Sequence, residues 1–574
     1  MNRHKCLVIV LVMVLSSMTI GICSSITDQV GTSDFLTKNE MNSSSDLVDL
    51  QGTSKKTYVI ITLPELVASV HSLRIWKEYL GFSVEVVTID WVAFGYPGED
   101  LQEQIRNYLI SIYEEETPLY VLLVGSPNTI PMRTCHPIPW EYPDYVVTDF
   151  YYCDLTGVWN ADDDEYFGEY EHDLVDFTAE AFVGRIPSDD PFLVRFICQN
   201  IIRFENDEGD WKKHVLSLAA IIYFENLFSF NWTYARSDGA TLMEECYDDI
   251  FQLQGYTQVC MYETEGINSS MYPCDFPLTY QNVISEWTSG FGIVNMLGHS
   301  TETQVTRFIW NYDDGDNIPE FEGGELIYRD FLRSSDGKNL RTDKPPIVYS
   351  AGCSQFHSVK NMGREFLEQG AAVAYIGTTD LSFYNITRVW NDETDGGAFS
   401  LDYYFFYYLV NQEMKCADAL ASAKSYFANH FMFTSYDADW IYRCLSTLYG
   451  FSLYGDPALG VTTEKTDKTP PILSMCAPHG HLYFFGQPLF PLPGNRTIVI
   501  GNVPVIVSAI DDQSGVASLE LWIDGVFKNM TNASSLEWLW DEISFFKIHT
   551  LQIIAIDTVG NRIEHEQVVW MVNI

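Results

Sequence analysis

The chain has 574 residues, 47% of them hydrophobic and 14% aromatic, which excludes a disordered protein and points to about three or four domains of roughly 150 residues each. Its 33 basic and 78 acidic side chains give a formal charge of −45, which argues against nucleic acid as a partner because polyanions are repelled. Divalent cations or a positively charged substrate suit such a surface better, although acidic side chains also serve simply as a solvated face.

Residues 1–24 read as a secretory signal peptide, with Arg3 and Lys5 ahead of an apolar run from Cys6 to Leu15 and then small and polar residues. Neither this run nor any later one reaches the roughly 20 residues of a membrane-spanning helix. A secreted or cell-surface protein is expected, not an integral membrane protein. Residues 25–56, rich in Ser, Thr, Asn and Asp, read as a linker or pro-segment.

Residues 57–210 form the first ordered unit. The runs "TYVIIT", "SVEVVTI" and "LYVLLVG" are strands, and the helical patterns "LPELVASVHSLRIWKEYLGF" and "EDLQEQIRNYLISIYEE" separate them. Strands of continuous apolar character that alternate with helices predict a parallel sheet covered on both faces. The pattern restarts over residues 211–464 with the strands "HVLSLAAII", "TQVCMYE", "FGIVNML", "PPIVYSA" and "AAVAYIG", interleaved with the helices "ATLMEECYDDIFQL", "TYQNVISEWTSG" and "GREFLEQG". Two α/β subdomains in tandem are expected, with ligands beyond the carboxyl ends of their strands. From 465 to 574, short alternating runs such as "VPVIVSAI" and "HTLQIIAID" between turn signals predict an all-β immunoglobulin-like sandwich.

Sequons at Asn42, Asn231, Asn268, Asn385, Asn495, Asn529 and Asn532 are compatible with export. Ten cysteines remain once Cys6 and Cys23 are set aside, and their spacing fixes neither a zinc site nor a disulfide connectivity. They read equally as buried thiols or as bridges.

Two strands of the second subdomain end in groups capable of covalent chemistry: "GIVNML" runs into Gly298-His299-Ser300 and "PIVYSA" into Gly352-Cys353-Ser354. If those strands are neighbours, His299 and Cys353 emerge at one edge of the sheet. A thiolate is the nucleophile and an adjacent imidazole can generate it. An imidazolium there would hold the thiol below the roughly 8.5 of an unperturbed cysteine. Taken singly, a cysteine after a strand is also a common buried hydrophobe, and a lone histidine a common hydrogen-bonded residue.

The blocks "VNMLGHSTET" and "IVYSAGCSQF" resemble the His and Cys blocks of the gingipain-like cysteine peptidases, which have a caspase-like fold. "LYVLLVGSPNTIP", "TDFYYCDLTGVW", "EAFVGRIPSDDP" and "LYGDPALG" extend the likeness from Thr57 to Gly460. The resemblance implies a caspase-like three-layer α/β catalytic region followed by the sandwich, and a secreted cysteine endopeptidase acting on protein or peptide substrates. Cys353 would attack the scissile carbonyl and His299 would act as general acid and base. The backbone N–H groups of Cys353 and Ser300 would bind the oxyanion. Ser300 departs from the family's Gly-His-Gly pattern, where a positive φ would strain it. Glu180 stands where the family has an acidic residue that can orient the histidine, and a plain structural role is open to it. Asp380, in the loop "IGTTDLSFYN", would select a basic side chain or is a solvent-facing turn carboxylate. A scaffold that has lost turnover, or a peptide ligase, remains an alternative to the endopeptidase.

Asn160, Asp162 and Asp164 alternate ahead of Glu165 and Glu169, a spacing by which a loop turns oxygens toward a hard cation. The resemblance also allows calcium, as a structural ion, and no organic cofactor is expected. "NYDDGDN", from Asn311 to Asn317, is a second acidic loop of the same kind.

Overall fold

The computed structural model describes residues 56–114, 117–227, 236–383, 396–435, 437–462, 470–511, 515–557 and 560–573. The expected signal peptide, nearly all of the linker, and the sequons at Asn42, Asn231 and Asn385 lie outside the described residues.

In the first subdomain the β-branched and aromatic runs form strands β1 (Thr57–Thr62), β2 (Ser83–Thr88), β3 (Leu119–Val124) and β4 (Ala181–Ile186). The second supplies β5 (His214–Ala219), β6 (Thr257–Tyr262), β7 (Phe276–Pro277), β8 (Ile293–Leu297), β9 (Ile347–Ser350), β10 (Ala374–Thr378) and β11 (Phe451–Tyr454). All eleven join one sheet in the order β7-β6-β5-β8-β9-β10-β11-β4-β3-β1-β2. The two expected subdomains therefore share a sheet, and β3, buried along its whole length, lies well inside it.

Pairing is parallel within each half, as the alternation predicts, and antiparallel at β10–β11. The exception has a local cause. The helix Ala438–Gly450 ends beside the carboxyl end of β10, where Gly450 accepts from the Thr379 N–H at 3.0 Å, so β11 must run back along its neighbour. In consequence the carboxyl ends of β8, β9 and β10 share an edge with the amino ends of β3 and β4.

Helices α1 (His71–Tyr79), α2 (Leu101–Ile112) and α3 (Pro191–Asn206) cover the first half. The Asp100 carboxylate caps α2 through the Glu103 N–H at 2.9 Å, and Gly81 takes the left-handed conformation, φ 89°, just past α1. Between α1 and α3 the fully buried Lys77 ammonium donates to both oxygens of Glu205, at 2.8 and 2.9 Å, and pairs with Asp456 just after β11. Trp76 Nε1 also donates to Glu205, and the Tyr58 hydroxyl to Asp456. Burial pulls the Lys77 pKa down, but Asp456 and Glu205 outweigh it and hold it above its ordinary value.

The helix Cys416–His430 carries a second buried lysine, Lys424, whose ammonium lies 4.8 Å from the Phe150 ring centre. Burial lowers its pKa to about 8, with Cys153 and Asp149 pulling weakly the other way. The folded state therefore binds this proton less tightly than the unfolded chain, and the penalty operates below about pH 8 and fades toward the ordinary lysine range. Lys424→Met is expected to raise stability at pH 7 by up to about 3 kcal/mol. Melting curves should show the gain shrinking between pH 8 and 10.5.

The C-terminal strands form a sandwich of a three-stranded and a seven-stranded sheet. Strand Val503–Ile510 alternates as the sequence pattern predicts, placing Val503, Val505, Val507 and Ala509 in the core with Trp540, Leu551, Ile553 and Val569.

Among the described residues ten cysteines are free, and most are buried. No helix of the described residues is long and apolar enough to cross a membrane.

Candidate active site

β8 and β9 are adjacent and parallel, with Ile293 opposite Ile347 and Met296 opposite Ser350. His299 and Cys353 each stand three positions beyond that last aligned pair, so both leave the sheet at the same edge. Their loops touch. The Ser300 hydroxyl donates to the Cys353 carbonyl at 2.7 Å, and a Cβ on Gly352 would meet that hydroxyl at 2.2 Å and the Gly298 carbonyl at 2.8 Å. Gly352 is thus required by close approach of the two loops.

On its other side the cysteine loop is fastened to the chain beyond β10. Ser354, at φ 54°, donates its N–H to the Asp380 carbonyl at 2.7 Å, and Phe356 donates to Thr378 at 2.9 Å. The Ser382 N–H points at the Cys353 sulfur, 3.4 Å away, while the Ser382 hydroxyl donates to the Ala351 carbonyl at 2.7 Å. Ser382 carried no signal in the sequence because it acts on the sulfur through its backbone. Among the described residues, no hydrogen bond takes up the Cys353 N–H.

Ser300 is unstrained. It continues as a short strand with His299, paired with Val305 and Thr306, and does not have the positive φ that the Gly-His-Gly pattern suggested.

The His299 ring is held by Nε2, 2.9 Å from the Ile222 carbonyl, and by stacking on Phe308 at 4.0 Å between centres. A carbonyl only accepts, so this contact places the proton on Nε2 and leaves the Nδ1 lone pair as the base. Ile222 also works through its backbone, which a sequence reading of side chains misses.

Glu180 has another task. Its carboxylate accepts from the N–H groups of Leu155 and Thr156, at 2.7 and 3.2 Å, and from the Thr156 hydroxyl at 2.9 Å. It precedes β4, four strands from β8, which is roughly 19 Å at ~4.8 Å per strand. The expected role of orienting His299 is therefore replaced by that of holding the 154–157 loop.

Burial pushes the Cys353 thiol above its ordinary value; the Ser382 N–H opposes this and Asp380 adds to it. Burial also lowers His299, against the pull of the Ile222 carbonyl. The expectation of a depressed thiol is thus reversed, because desolvation favours the neutral form of both groups. Asp380 is half-buried; burial raises its carboxyl, with His357 pulling down and Asp144 pushing up.

Of the expected metal ligands, Asp162 and Glu169 come together, joined by His172, whose Nδ1 lies 3.6 Å from Asp162 and 3.5 Å from Glu169. Asn160 and Asp164 instead close a turn on each other, and Glu165 is exposed. One oxygen of the buried Glu169 carboxylate has no hydrogen-bond partner among the described residues. The imidazole does not fit the all-oxygen shell that calcium takes, and the mixed set suits a borderline divalent ion better.

The sequence profile of peptidase family C25 matches residues 52–462. Among solved structures, the Arg-specific cysteine proteinase gingipain R is similar with a TM-score of 0.50 and 15% identity, over 91% of this chain and 99% of that one. The complex of Porphyromonas gingivalis RgpB pro- and mature domains gives a TM-score of 0.49 at 15% identity, over 90% and 100% of the two chains. No curated protein sequence matches. The fold is the caspase-like α/β region with a C-terminal immunoglobulin-like sandwich. On the match across most of its length, the chain belongs to peptidase family C25, the gingipain family of cysteine peptidases.

Proposed function

We propose that the protein is an exported endopeptidase that cleaves peptide bonds through Cys353 and His299. The observation that carries this reading is the parallel register of β8 and β9, which delivers the thiol and the imidazole to one edge of the sheet. His299 Nδ1 takes the thiol proton as sulfur bonds to the scissile carbon, and the carbonyl electron pair moves to oxygen. The backbone N–H groups of Cys353 and Ser300 receive that oxyanion, a contribution of about 3 to 4 kcal/mol for a single well-placed donor. Collapse of the intermediate breaks the C–N bond, and the imidazolium gives its proton to the departing amine. Water, deprotonated by the same imidazole, then hydrolyses the thioester and returns the thiol. Because burial favours the neutral thiol and the neutral imidazole, the proton moves during attack and not before it. Asp380, fastened to the cysteine loop, selects a basic side chain ahead of the cleaved bond.

The test is a pair of peptidyl acyloxymethyl ketones, one ending in arginine and one in a neutral residue, followed by mapping of the adduct. Adduct at Cys353, faster with arginine, is expected. Modification elsewhere or none would favour a scaffold, and equal rates would remove Asp380 from the account.

The pH dependence is a separate check. A thiol raised by burial keeps its proton longer, so alkylation by iodoacetamide should accelerate with a midpoint above the roughly 8.5 of an ordinary cysteine. A midpoint below that value would show a preformed thiolate–imidazolium pair.

A further inference from the structure

The seven-stranded sheet of the C-terminal sandwich has one face in the core and one outside. Along strand Arg562–Asn573, Val569 and Met571 are fully buried in the sandwich core, whereas Val568 and Trp570 are 55% and 51% exposed. Alternation places that second pair on the outer face. Trp570 pairs with Ile548 of strand Ser544–Asp557 on one side and with Ile498 of strand Thr497–Ile500 on the other. Ile498 in turn pairs with Leu482 of strand His481–Phe484, and Leu482 with Phe490 of strand Gln487–Pro491. One apolar row therefore crosses five strands in register. A second row beside it runs from Phe484 through Ile500 to Val572. Neither row contains a charged side chain, in a chain with 78 acidic ones.

The same outer face is already covered further along. Ile554 and Ile556 share it with Ile548 by alternation; Ile554 is buried, and Ile556 packs against the core of the catalytic region. At the following turn Gly560 lies so close to the Tyr79 ring that a Cβ there would overlap it. The bare rows thus continue a surface that is an interface within the chain. Phe484, Phe490, Ile500, Ile548, Val568 and Trp570 are each 36–55% exposed. With an aromatic side chain burying roughly 150–250 Å² and an aliphatic one somewhat less, these six present on the order of 600 Å². That is the lower end of what each partner gives to a stable protein interface, roughly 600–1,000 Å², and Leu482, Ile498 and Val572 add to it.

We propose that this face is a homodimer interface, on which two copies of the chain pack their outer sheets face to face about a two-fold axis with Trp570 as an anchor. Sheets stack in this way about 10 Å apart. Uncharged apolar rows are complementary to themselves, because opposing copies bring no like charges together inside the contact. Two other occupants fit less well. Residues 25–55, rich in Ser, Thr, Asn and Asp, are too polar to cover aromatic rows, and the formal charge of −45 opposes approach to an anionic bilayer. The inference does not depend on the peptidase chemistry, since no part of the interface belongs to the catalytic region.

Sedimentation equilibrium of the exported protein tests it. The parent is expected to dimerise at micromolar concentration, and Trp570→Glu to weaken the dimer at least a hundredfold, as loss of a central aromatic anchor does. Leu539→Glu, an equally exposed change on the opposite sheet, is expected to leave the dimer intact. Should Trp570→Glu misfold, Ile548→Lys is expected to give at least a tenfold weakening. A parent that stays monomeric, or a dimer that survives both Trp570→Glu and Ile548→Lys, would overturn the proposal. So would a parent monomer that binds vesicles of neutral phosphatidylcholine, which would make the face a lipid surface, or a dimer that forms only after residues 25–55 are removed, which would show that the chain covers its own face.

Discussion

Replacing Cys353 with alanine is expected to leave the fold and its melting temperature unchanged and to lower peptide cleavage by several powers of ten. Loss of a covalent nucleophile is that costly because the remaining groups, His299 and the backbone donors, have no atom with which to form the acyl intermediate. The fold is spared because the bonds that fasten the loop are made by other atoms. The Cys353 carbonyl still accepts from Ser300, Ser354 still donates to Asp380, and Ser382 still donates its hydroxyl to Ala351. Only Ser382 loses partners, its N–H the sulfur 3.4 Å away and its carbonyl the thiol at 3.9 Å. Cleavage of a fluorogenic peptide within about tenfold of the parent would remove Cys353 from the chemistry.

The largest expected loss of stability comes from Lys77→Met. The ammonium is the shared partner of Glu205 and Asp456, all three buried, and its removal leaves two carboxylates facing each other without a cation. Breaking such a buried arrangement from one side costs about 3–5 kcal/mol. Burial already pushes the Glu205 carboxyl above its ordinary value with the lysine in place. Glu205→Gln on the Lys77→Met background should restore part of the loss, since one of the two stranded charges is gone. The comparison requires urea unfolding midpoints of parent, single and double variants. A loss below about 1 kcal/mol would show that water or rearrangement satisfies the pair.

Much of the catalytic half was legible in the sequence because strand ends announce themselves. Apolar runs that stop at Gly298 and Gly352 placed His299 and Cys353 at strand termini, and the structure supplies the adjacency of β8 and β9 that the pattern could only presume. What the pattern could not show are matters of register and backbone. β11 is a four-residue run, "FSLY", too short to stand out, yet it joins the halves and reverses the sheet. Glu180 looked like a partner for His299 only while its strand had no place in the order. Ile222 and Ser382 act through a carbonyl and an N–H, groups that every residue carries. The acidic loops were found by composition, but which oxygens converge depends on turns: Asn160 and Asp164 bond each other, whereas His172, outside the alternating run, joins Asp162 and Glu169.

The position of β11 has a consequence for how the chain is made. It is the last strand of the sheet in sequence and sits near the middle of it in space, between β10 and β4. A nascent chain that stops before Phe451 holds two half-sheets, each with an open edge and no strand to join them. The Cys353 loop is complete in sequence about a hundred residues earlier, but Asp456, the partner that locks Lys77 and Tyr58 in the opposite half, follows β11. The two halves of this peptidase are therefore welded together only after nearly the whole catalytic region has been synthesised.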